Sequence, residues 1–196
     1  MNILTEPVPE TVNIGGVEVP IHWDFRVSIR FEELMDEDIP DEEKAQRALE
    51  LYYPHIPEDR DAAVDRILWF YSGGEEPEEA NNGSGQPVER IYSYTHDGAF
   101  IYAAFLDQYG IDLQETDHLH WWKFRAMFAG LKSDNRIVEI MGYREIEITP
   151  QMSKEQKQYY RKMKKLFALP LPKSEREKLS AIEEALLNGG DVSAIL

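Results

Sequence analysis

Leu119-His120-Trp121-Trp122-Lys123-Phe124-Arg125-Ala126-Met127-Phe128 is apolar on nearly every side when wound at helical spacing. A helix of that kind has no face to give to water, so it belongs at the centre of a domain with other elements packed around it. The reading starts this helix near Thr116-Asp117 and makes the fold mainly α. Working outward, each neighbouring stretch must supply a face that covers it.

Upstream, Tyr102, Phe105, Leu106 and Tyr109 recur on one helical face, and Gly110 supplies a left-handed stop. Downstream, Ser133 or Asp134 opens a short helix predicted to end at Gly142. Another runs from about Ser153 to Phe167, with Tyr159, Met163, Leu166 and Phe167 on one face and Lys162, Lys164 and Lys165 among the charges of the other. Pro170 and Pro172 break the chain. Ser174-Glu175-Arg176-Glu177 then forms a capping-box pattern for a last helix to about Asn188, with Leu179, Ile182 and Leu186 as its stripe.

The front of the chain covers the rest. Thr11–Ile14 and Val17–Ile21 flank Gly15-Gly16 and read as a β-hairpin, with Pro20 at an edge. A lone hairpin is marginal, so this one must lie on the helices. Asp24 caps a helix to about Met35; alternation of Phe25, Val27, Ile29 and Phe31 makes a strand the competing reading. Ala45, Ala48, Leu49 and Tyr52 form a second helical stripe ended by Pro54. Val64, Ile67, Leu68 and Tyr71 form a third ended by Gly73-Gly74. Residues 73–90 have no apolar period and read as a flexible acidic loop. The predicted organisation is a compact helical domain over 1–170 with a short N-terminal hairpin, and a C-terminal helical appendage over 171–196.

Of 196 residues, 42% are hydrophobic, enough for a substantial core. With no cysteine, disulfides, thiolate metal sites and a cysteine nucleophile are excluded, and a reducing compartment fits. Residues 1–6 lack a basic region and a long apolar run, so no secretory signal is expected, and no stretch approaches a membrane span. The net charge of −16 lies wholly in residues 1–100, which hold 7 basic and 23 acidic side chains against 14 of each in 101–196. Such acidity disfavours nucleic acid and anionic lipid. Residues 149–173 are the local exception, with seven basic side chains against Glu155 alone. Tyr159 and Tyr160 interleave with those charges as in some nucleic-acid binders, but a solvated amphipathic helix looks the same, and an acidic protein surface is the simpler target.

No catalytic constellation emerges: Gly83-Ser84-Gly85 has no preceding strand, and no phosphate loop or nucleophile elbow exists. His118 and His120 fall on different faces of a helix and share one only if extended, with Asp117 nearby; packing and capping are the expected histidine roles. Asp59, Asp61 and Asp65 could suggest a divalent-cation site, but Asp59 and Asp61 read better as first-turn carboxylates that complement a helix dipole, and Trp121-Trp122 reads as core. The expectation is therefore a non-enzymatic protein with no metal and no cofactor.

Several separate motifs appear in one order: Asp24-Phe25-Arg26, Phe31-Glu32-Glu33-Leu34, Tyr92-Ser93-Tyr94, Ile101–Phe105 and Tyr109–Leu113. His120–Phe124, Ile140–Arg144 and Tyr160–Lys165 follow. Over about residues 11–170 they resemble the bacteriophage gp-fifteen proteins of Gram-positive tailed phages and prophages. The resemblance implies a gene of the tail-morphogenesis cluster. It also implies a tail assembly chaperone, working in the host bacterial cytoplasm, that binds the tape-measure protein, with the major tail protein as a further partner and a homo-oligomer left open. A structural virion protein, such as a tail completion or connector component, is the alternative. Expected partner-binding residues are Tyr159, Met163, Leu166, Phe167, Lys162, Lys164 and Lys165 on one helix, and Leu179, Ile182 and Leu186 on the last.

Overall fold

A computed structural model describes residues 2–75 and 90–170. Its order is β1 (Thr11–Ile14), β2 (Val17–Pro20), α1 (Phe25–Met35), α2 (Asp41–Tyr52), α3 (Arg60–Tyr71), α4 (Tyr94–Tyr109), α5 (Trp121–Ala129), α6 (Arg136–Glu145) and α7 (Lys154–Leu166). The chain is mainly α, with one two-stranded antiparallel hairpin at its start. The predicted last helix and its Leu179, Ile182 and Leu186 lie outside the described residues, as does most of the predicted acidic loop.

The hairpin pairs Thr11 with Pro20 and Ile14 with Val17. Gly15 and Gly16 both take positive φ, 58° and 86°, which is the twist a two-residue hairpin turn needs. Asn13 Oδ1 accepts the Gly16 N–H at 3.0 Å. Period-two burial of Val12 and Ile14 lays the sheet against α3, as a hairpin too small to stand alone requires.

Asp24 caps α1, accepting the Arg26 N–H, and the competing strand is ruled out. Phe25, Phe31 and Leu34 turn inward at helical spacing, with buried Ser28 among them, whose Oγ accepts the Tyr52 Oη–H at 2.9 Å. α2 and α3 end where predicted. Gly74, at φ 84°, sits so close to α5 that a Cβ there would lie 2.6 Å from Trp122 Cη2, so this glycine is required by close approach as well as by backbone geometry.

α5 is the centre, as its all-round apolar sequence demands. Trp121, Trp122 and Phe124 are buried. Phe124 stacks on Phe25 of α1 at 4.9 Å and on Phe105 of α4 at 4.8 Å. Both indole N–H groups are satisfied, Trp121 by the Tyr71 carbonyl at 2.8 Å and Trp122 by the Phe70 carbonyl at 2.7 Å, which is the condition for burying them without loss.

Three boundaries differ from the sequence reading. α5 starts at Trp121, not near Thr116, because residues 118–120 are extended: Leu119 accepts from Phe25 N–H, and Trp121 N–H donates to Trp23. α4 buries Tyr94, Asp97, Ile101, Ala104 and Phe105, while Leu106 of the expected stripe is 44% exposed. The core-facing stripe is thus rotated, because α6 and α1 approach from the other side. α6 is capped at Asn135 and passes through Gly142, whose φ is not positive, to Glu145.

Candidate functional site

Helix α7 is the surface at which the sequence places its partner-binding residues. Its start is well defined: Ser153 Oγ accepts the Gln156 N–H and Gln156 Oε1 accepts the Ser153 N–H, a reciprocal capping box. Glu155 lies in the first turn and Lys164 and Lys165 in the last, each on the side of the helix dipole that favours it.

Among the described residues, the contacts that hold the helix come chiefly from α6. Tyr143 of α6 packs edge-on to Tyr159 at 6.1 Å and face to face with Phe167 at 6.0 Å, and the two tyrosine hydroxyls meet at 3.2 Å. That hydroxyl contact raises the Tyr143 phenol above its ordinary range. Arg136 lies over the Phe167 ring at 5.0 Å. Lys164 Nζ donates to the Arg144 carbonyl at 2.6 Å, tying α7 to the last turn of α6.

Beneath this contact lies a buried ion pair. Arg144 donates to both carboxylate oxygens of Asp97, at 2.6 and 2.9 Å, with the two side chains only 8% and 3% exposed. The remaining guanidinium donors reach the Ile91 carbonyl at 2.9 Å and the Phe167 carbonyl at 2.6 Å, while Asp97 also accepts the Ser93 N–H. Every charged atom is thus paired, which a buried pair needs in order not to destabilise the fold. One arginine fixes α4, the entry to α4, α6 and the end of α7.

None of α7's residues is buried. Tyr159 is 48% and Leu166 64% exposed, and Met163 between them is half-buried. Lys162 and Lys165 project to solvent alongside. Of the sequence-predicted residues, Met163, Leu166, Lys162 and Lys165 therefore share an open surface with the half-exposed ring of Tyr159, whose hydroxyl meets Tyr143 of α6, whereas Lys164 and Phe167 are turned to α6. Sequence reasoning missed Tyr143, Arg136, Arg144 and Asp97, which position that surface. Asp97 looks like any first-turn carboxylate, and nothing local pairs it with a residue 47 positions away.

The other candidate chemistry resolves into structure. The extended 118–120 segment does put His118 and His120 on one side, but both pack on Trp23, at 5.5 and 5.7 Å. His120 caps α5: Nδ1 accepts the Trp122 N–H at 3.0 Å and Nε2–H donates to the Pro9 carbonyl at 2.9 Å. Those roles require the neutral ring, and burial holds its pKa below the usual histidine value. Asp59 accepts the Ala62 N–H as the α3 cap. Among the described residues no His, Asp and Glu cluster has metal-binding geometry, and no helix is long and apolar enough to cross a membrane.

Open depressions lie among the described residues, two of them of some size. The larger, about 840 Å³, lies between the end of α3, α5 and α6 and is lined by Tyr92, Trp122, Arg125, Phe128 and Met141 among others. The smaller, about 430 Å³, lies between α1 and α4 at Arg26, Ile101 and Leu113. Neither gathers an acid–base pair or a nucleophile beside a base.

In comparison with known proteins, the model of a family described as Bacteriophage Gp15 protein matches residues 4–169. That match spans the hairpin, all seven helices and the α6–α7 surface. No curated protein and no solved structure matches the chain.

Proposed function

This chain belongs to the bacteriophage Gp15 protein family, a family of phage structural, tail-region proteins, and on that premise we propose that it is a tail assembly chaperone. In this reading it acts without catalysis in the host bacterial cytoplasm. It binds the tape-measure protein during tail morphogenesis, holds it in solution, and releases it as tail-tube subunits, the major tail protein, assemble around it.

One observation carries the reading. A well-capped helix stands at the end of the domain with no residue buried, keeping an apolar row in water beside a set of cations. Ordering such a row without covering it gains little, and exposed rows of this kind are used to dock amphipathic helices. The net charge of −16 would keep a chaperone and its apolar client dispersed.

Co-expression with the neighbouring tape-measure protein, followed by affinity capture and size-exclusion chromatography, tests this. The expected outcome is a soluble stoichiometric complex, with the tape-measure protein insoluble when expressed alone. Absence of a complex, together with recovery of this protein from purified tails, would replace the chaperone by a structural virion component.

A further inference from the structure

The α7 row also specifies what kind of segment it takes. Tyr159, Met163 and Leu166 stand at i, i+4 and i+7, one continuous ridge about two turns long. On one side of the ridge α6 is already in place, with Lys164 and Phe167 half-buried against it. On the other side helical spacing puts Lys162 and Lys165, then Lys154 and Arg161, all exposed, with one carboxylate, Glu155, in the first turn of that flank accepting from Ser153 Oγ. Lys157 and Lys164 are spent on the carbonyls of Pro150 and Arg144. The four outer cations form no ion pair with any described residue, in a chain whose net charge is −16.

From this placement we propose that the ridge docks an acidic amphipathic helix of the partner protein. That helix lies in the open angle between the ridge and the outer cations, with α6 as the wall behind it. Its apolar stripe covers Tyr159, Met163 and Leu166, and its glutamates and aspartates face Lys162 and Lys165. Charge complementarity selects the occupant: a basic or neutral amphipathic helix would bury the same apolar atoms but leave four cations facing a like charge or none. The inference rests on the chaperone reading only for the identity of the partner.

The test uses the full chain and two synthetic helical peptides with the same leucine stripe, one flanked by glutamate and one by lysine, read by fluorescence anisotropy. The glutamate peptide is expected to bind at least 10-fold more tightly than the lysine peptide, and more weakly as salt rises from about 50 to about 500 mM, where screening shortens the reach of the charges. Leu166→Asp, and separately the pair Lys162→Glu with Lys165→Glu, are each expected to weaken it at least 10-fold, with the far-ultraviolet circular dichroism and unfolding midpoint of the chain near those of the parent. Equal binding of the two peptides, no binding of either, or indifference to both variants overturns the proposal.

Two further outcomes overturn it in favour of another occupant. Binding that appears only with Ile182→Asp assigns the ridge to the chain's own residues 174–188, whose sequence has the same acidic and apolar character. A concentration-dependent oligomer abolished by Leu166→Asp assigns it to a second copy. Capture of the tape-measure protein that survives Leu166→Asp would remove this site and leave the chaperone role. Peptide binding without such capture would do the reverse.

Discussion

α5 and α7 are both aromatic-bearing helices with lysine or arginine among the apolar residues, yet they end in opposite environments. α5 buries Trp121, Trp122 and Phe124 and is met by three other helices, through Phe25 from α1, Phe105 from α4, and the backbone carbonyls of Phe70 and Tyr71 from the end of α3, with only Lys123, Ala126 and Ala129 exposed. Among the described residues, α7 buries nothing and packs chiefly on α6. The difference teaches that aromatic content alone does not separate core from recognition surface. What separates them is the number of directions from which the chain returns to cover the helix. Thirteen residues is also near the length at which an isolated helix is marginal, so α7 depends on its cap and on one lateral contact.

The contrast can be broken most severely at its buried end. Phe124→Ala removes a ring that is 0% exposed and stacked on two other helices, so denaturant unfolding should report a loss of about 4 kcal/mol. Arg144→Ala leaves Asp97 buried without its partner and should cost about 3 kcal/mol. Replacing the pair together, Arg144→Met with Asp97→Leu, should recover a large part of that loss by the same measurement. If the double variant is no better than the single, the ion pair is not the junction between the core and α7.

A smaller effect is expected at the α7 cap. Ser153→Ala should cost about 1 kcal/mol of local stability, read as faster amide hydrogen exchange in the first turn of α7 with the core unchanged. Acidification should separate the regions in another way. The folded state lowers the His120 pKa, so below the unfolded value of about 6.5 the unfolded chain takes up the proton first. Stability from this cap is complete above that pH and is lost as pH falls towards the lowered folded value. Unfolding midpoints of the parent and His120→Asn, compared at several pH values from about 7.5 to 5, should converge as pH falls. Curves that stay parallel would mean that the ring does not cap α5 as the neutral form. Smallest of all, Leu166→Asp should change global stability by less than about 0.5 kcal/mol, because its side chain is 64% exposed.

Much of this architecture was legible along the chain because the deciding interactions are local. Asp24, Asp59 and Ser153 announce their helices by capping chemistry, Gly110 ends α4 with its φ of 66°, and Gly15-Gly16 make the hairpin turn. The failures share a cause. Thr116-Asp117 has the residues of a helix start, but Asp24 and His120 form an isolated bridge, and the backbone bonds of Leu119 and Trp121 run to the 23–25 segment, so the chain stays extended until His120 takes the cap. Leu106 fits an apolar stripe by spacing, but no element comes to cover it. For the candidate site, periodicity picked out Tyr159, Met163 and Leu166, yet put Phe167 on the same face and Lys164 among the charges of the other, both as partner-binding residues. Only the position of α6 shows that they face inward.

The sequence by itself determined which stretches are helical, where most of them begin and end, that α5 is central, and that the one basic segment lies at the end of the domain. These follow from propensity, capping and apolar period, which act over a few residues. Tertiary structure alone decided that Asp97 meets Arg144, that His118 and His120 serve Trp23 and a helix cap, and that α7 keeps one face open. Each of those depends on where residues tens of positions apart are brought together, and the energy of a buried charge or an uncovered ridge is set by that placement, not by its neighbours in sequence.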